Sequence, residues 1–60
     1  MEMKQLIEFA KEFIQKHPQH KGEVIDLVQL CKDEIEEGGS ISHEINLCIG
    51  SIQDLLTNQE

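Results

Sequence analysis

The sequence predicts an all-α fold, a three-helix antiparallel bundle. Apolar residues recur at three- and four-residue spacing along three segments. Pro18 separates the first segment from the second, and Gly38-Gly39 separates the second from the third. No segment alternates apolar and polar residues as a half-buried strand does, and none repeats another. A chain of 60 residues makes one small helical domain at most. Its helices are expected over residues 2–16, 20–37 and 42–57, each boundary good to about two residues.

In the first segment Met3, Leu6, Ile7, Phe9, Ala10, Phe13 and Ile14 fall within an arc of roughly 160° at helical spacing. Lys4, Glu8, Lys11, Glu12 and Gln15 lie opposite. Such a division gives one buried face and one wet face. The helix is expected to stop near His17, because Pro18 disfavours helical geometry at the residue before it. Proline also lacks the N–H that a continuing helix needs, yet it suits the first turn of the next helix, where that donor has no partner. Gly22 weakens that first turn.

The second helix has a central seam of Val24, Val28, Cys31 and Ile35, with Leu27 beside it. Ile25 and Leu30 lie on opposite flanks and widen the apolar arc to roughly 220°. A helix this apolar sits between two neighbours or contacts another chain. Gly38 or Gly39 is expected to end it with positive φ, the left-handed conformation that glycine adopts without a Cβ clash.

The third helix is expected to begin after Ser40 or Ser42, both favourable N-caps. Glu44 then falls in the first turn, where the helix dipole favours a negative charge. Ile45, Cys48, Ile49, Ile52, Leu55 and Leu56 form a narrow stripe, while Leu47 stands apart among His43, Ser51 and Asp54. Together the stripes predict one core in which Phe13, Val28, Cys31, Ile49 and Ile52 are strongly buried.

A chain of this length buries only about 60% of its unfolded surface, and small folds of this kind add disulfides, metals or subunits. The two cysteines, Cys31 and Cys48, sit on buried seams, where a free thiol behaves as a small hydrophobe. Antiparallel packing of the second and third helices would make them neighbours, open to oxidation in air. The amino terminus reads as an amphipathic helix carrying acids, not as an apolar leader. No stretch approaches the roughly 20 apolar residues of a membrane span. The expectation is a cytoplasmic protein with reduced thiols and no membrane partner. Self-association is the remaining way to complete the core. A homo-oligomer, in the first instance a closed two-fold dimer, is expected through the flank carrying Leu30, through Leu47, or both.

The formal net charge is −7, and it is unevenly spread. Residues 1–22 hold four Lys and three Glu, a net +1, whereas residues 23–60 hold one Lys and nine acids, a net −8. There is no arginine. Nucleic-acid binders need cations for phosphates and generally arginine for guanine edges. The segment from Ile41 onward, which would be the recognition helix of a helix-turn-helix, has neither Lys nor Arg. Direct nucleic-acid binding is therefore excluded, and a basic protein is the compatible partner.

Metal and catalytic motifs are incomplete. Asp33, Gly38 and Glu44 occupy the first, sixth and twelfth positions of a calcium loop. Ile35 and Ile41, however, stand where oxygen ligands belong. His17, His20, His43, Cys31 and Cys48 are zinc-ligand types without zinc-site spacing. The histidines at 17 and 20 read instead as hinge residues that cap a helix end or meet solvent. A reactive thiol needs an exposed, electropositive setting, but both cysteines lie on apolar seams amid negative charge, which raises a thiol pKa. Three short helices rarely enclose the roughly 300 Å³ of a substrate pocket, and Gly38-Gly39 lacks the Lys and Ser/Thr of a phosphate loop. No catalytic residue, cofactor or metal is expected.

The function that remains is a non-enzymatic module that associates through apolar helix faces. The alternative is an acidic regulator that covers a basic site on an enzyme or nucleic-acid-binding protein, with a metal-binding protein third. The candidate interaction surface is Ile25, Leu30 and Leu47 together with Glu34, Glu36 and Glu37. Those three acids crowd a helix C-terminus, where the dipole disfavours negative charge. That placement marks either a solvated helix end or a functional surface.

Overall fold

The computed structural model describes residues 2–57. Its elements are α1 (Met3–Lys16), a 3₁₀ turn (Pro18–His20), α2 (Lys21–Glu36) and α3 (Ile41–Thr57), with no strand among the described residues. The fold is an all-α three-helix bundle in which each helix packs on the other two. No helix of the described residues is long and apolar enough to cross a membrane.

Each boundary has a local cause. At the start of α1 the Gln5 side chain accepts the Glu2 backbone N–H at 2.9 Å, which satisfies a donor that the first turn leaves without a helical partner. The His17 N–H closes α1 on the Phe13 carbonyl at 2.8 Å, and Pro18 then opens the 3₁₀ turn as its first residue. At the end of α2, Gly39 donates to the Glu34 carbonyl at 2.9 Å and Gly38 to the Ile35 carbonyl at 3.1 Å. Gly38 has a φ of 108°. This pair of reversed bonds around a left-handed glycine is a Schellman motif. Ser40 precedes α3 and its carbonyl accepts the Glu44 N–H at 2.9 Å.

The core joins Leu6, Ala10 and Phe13 of α1, Val24 and Cys31 of α2, and Ile45, Cys48 and Ile52 of α3. Leu6, Val24, Ile45 and Ile52 have no exposed surface. Two expected core positions differ: Val28 and Ile49 are only half-buried and pack against the cluster from its margin. Three short helices close around a single layer of side chains, so residues on the shoulder of a stripe keep one side in solvent. Ile7 and Leu56, assigned to buried stripes by periodicity, are also exposed. Ile7 lies about 100° around α1 from Leu6. Leu56 lies one residue from the end of α3, beside Phe13 and His17 at the end of α1.

His20 departs from the hinge reading. It is buried. Its ring lies 6.3 Å from that of Phe13, and its Nδ1 lies 2.7 Å from Glu23 Oε1. The half-buried His17 sits closer to the same phenylalanine, with ring centroids 4.9 Å apart. The turn between α1 and α2 is therefore packed through two histidines on one aromatic ring.

Candidate interaction surface

The Schellman turn folds α3 back against α2 and leaves a groove between them. Leu27, Leu30, Cys31 and Glu34 line it from α2, and Glu44, Leu47, Cys48 and Ser51 from α3. Its volume is about 470 Å³. On each helix the lining residues follow three- and four-residue steps, so each helix contributes one stripe. Leu30 and Leu47 stand at the rim, 59% and 53% exposed. Cys31 and Cys48 form the floor and are buried.

The floor is chemically quiet. Cys31 and Cys48 line it from opposite helices, both as free thiols. Cys48 also donates to the Leu27 carbonyl at 3.5 Å, a bond between the helices. Burial pushes the Cys48 thiol up to about 11, and the neighbouring Cys31 adds to the shift. Burial also raises Cys31, reinforced by the Glu44 carboxylate. A thiol held protonated in this way is a poor nucleophile.

Of the residues expected to form an interaction surface, the structure gathers three here: Leu30, Glu34 and Leu47. It separates the acidic cluster. Glu36 and Glu37 are exposed at the end of α2 and lie outside this groove. Glu44 replaces them as the second acid of the groove. Sequence reasoning passed over it as a surface residue, although its three- and four-residue steps to Leu47 and Ser51 place it on their side of a helix.

Ile25 belongs to a different face. It lies 51% exposed beside a second groove of about 260 Å³ between α1 and α2. Ile7, Ile14, Val24 and Val28 share that groove, and its only charged lining residues are Lys11 and Lys32. The two grooves thus lie on either side of α2 and are both apolar, but carry opposite charge.

The metal-ligand types do not converge. His17 and His20 sit at the α1–α2 turn, away from the cysteine pair between α2 and α3. Asp33 and Ile35 are still helical, and Asp33 accepts a bond from the Gln29 amide at 3.1 Å. Among the described residues no three His, Cys, Asp or Glu side chains are grouped to hold a metal ion.

The chain matches no protein-family model, no curated protein and no solved structure.

Proposed function

We propose that this chain is a small, non-enzymatic interaction module that associates with a copy of itself through an apolar helix face. The observation that supports this reading is the pairing of Leu30 and Leu47. Both leucines are more than half exposed, and they flank the same groove. Fully covering a leucine is worth about 1.5–3 kcal/mol, a large amount against the narrow stability margin of a chain this short. Association would provide the apolar burial that three short helices leave incomplete.

A second reading draws on the charge of the same groove. Glu34 and Glu44 are its charged lining residues, with no cation among the others. An acidic regulator would use them to cover a basic site on another protein, with binding weakened by salt.

A dilution series followed by amide NMR separates the two. Self-association moves the resonances of Leu30, Leu47 and their neighbours as the concentration falls. A spectrum unchanged across the series overturns self-association and leaves the second reading.

A further inference from the structure

The two grooves differ in charge in a way that bears on how copies would meet. The α2–α3 groove has exposed Leu30 and Leu47 with Glu34 and Glu44. The α1–α2 groove has exposed Ile7 and Ile25 with Lys11 and Lys32. Helical spacing brings further cations to this second side. Lys4 shares the stripe of Ile7, Lys11 and Ile14, and Lys21 shares that of Ile25, Val28 and Lys32. Four of the five lysines in the chain therefore belong to the stripes beside this groove, and the same spacing adds two acids, Glu8 four residues past Lys4 and Glu36 four past Lys32.

We infer that the α1–α2 face of one copy docks on the α2–α3 groove of the next, in a head-to-tail contact between unlike surfaces. The inference rests on the self-association proposed above and specifies its geometry. Charge decides between the two ways of pairing. A two-fold contact of the α2–α3 groove with itself sets Glu34 and Glu44 against the same two acids. A two-fold contact of the α1–α2 face with itself sets Lys11 and Lys32 against the same two lysines. Like charges placed together across an interface are strongly unfavourable. The head-to-tail contact instead pairs each leucine-lined acid groove with an isoleucine-lined basic one. One such contact leaves a free acid groove on one copy and a free basic face on the other, so further copies add until a ring closes or a filament extends.

The test uses two full-length variants, each with one face reversed. The double variant K11E and K32E spoils the basic face and keeps the acid groove. The double variant E34K and L47K spoils the groove and keeps the basic face. Wild-type protein is expected to give a mass that passes two copies as concentration rises. Each variant alone is expected to associate at least about tenfold more weakly. An equimolar mixture is expected to recover association, because each acidic surface of one variant then meets a basic surface of the other, read by light scattering on a sizing column. Association of K11E/K32E at wild-type strength, or a mixture that stays monomeric, overturns the head-to-tail contact while self-association stands. A monomeric wild type overturns self-association itself. Salt provides a readout that needs no variant. Wild-type association should weaken between about 0.05 and 1 M salt, and association that strengthens over that range contradicts a contact between unlike charges.

Discussion

Cys31 of α2 and Cys48 of α3 meet at the floor of one groove, both of them buried. Above that floor Leu30 and Leu47 remain in solvent. The α2–α3 interface is therefore sealed at its base and open at its rim. The buried base supplies core packing, and the open rim leaves two leucines uncovered.

The floor thiols should be slow to react. Burial raises the pKa of both, and only the thiolate is nucleophilic. Alkylation by iodoacetamide at about pH 8 should proceed much more slowly in the folded protein than in denaturant. Equal rates in the two conditions would contradict the packing described.

The same shift carries a pH dependence. Cys48 moves from an ordinary 9.0 to about 11 on folding, so the folded state holds that proton more tightly than the unfolded one. Its stabilising contribution is complete below pH 9 and is lost as pH rises towards 11. The urea midpoint should fall between about pH 8 and about pH 10.5, and fall less in Cys48→Ala. The same slope in both proteins would remove Cys48 as the cause.

Ile52→Ala should destabilise the fold by about 2–5 kcal/mol, because Ile52 has no exposed surface. Urea denaturation measures this directly. Ile49→Ala, at a half-buried position on the same helix, should be milder. A larger loss at Ile49 than at Ile52 would mean that the core lies elsewhere on α3.

Glycine substitutions should act in opposite directions. Gly38 has a φ of 108°, so Gly38→Ala should lower stability by about 1–3 kcal/mol. Gly50 lies inside α3, and a Cβ there would meet nothing within 4 Å. Gly50→Ala should raise stability by about 0.5–1 kcal/mol. Thermal melts of the two variants check both signs.

Much of this fold was legible in the sequence, because its breaks are local. Pro18 and Gly38 act through their own backbones, and three- and four-residue spacing selects Leu6, Val24, Ile45 and Ile52 without reference to any neighbour. What periodicity does not contain is how far each partner helix reaches. Leu56 keeps the spacing of the α3 stripe but lies next to the last residue of that helix, and Ile7 lies at the edge of its arc. His20 required knowing that Phe13 would sit beneath the turn. The rim of the groove was half visible. Leu30 and Leu47 stood out as apolar residues on flanks, whereas the partnership of Glu34 with Glu44 depends on which side of α2 receives α3. Glu36 lies two residues past Glu34, about 200° around α2, and Glu37 lies beyond the last residue of that helix.

The most direct test of the central claim is sedimentation equilibrium across a wide concentration range, with wild type beside Leu30→Lys and Leu47→Lys. The expected result is a wild-type mass that rises with concentration above the 6.9 kDa of one chain. The two variants should fold normally and remain near that mass, since both positions are exposed. A wild type that stays at the single-chain mass throughout, or variants that associate as strongly as wild type, would contradict self-association through Leu30 and Leu47.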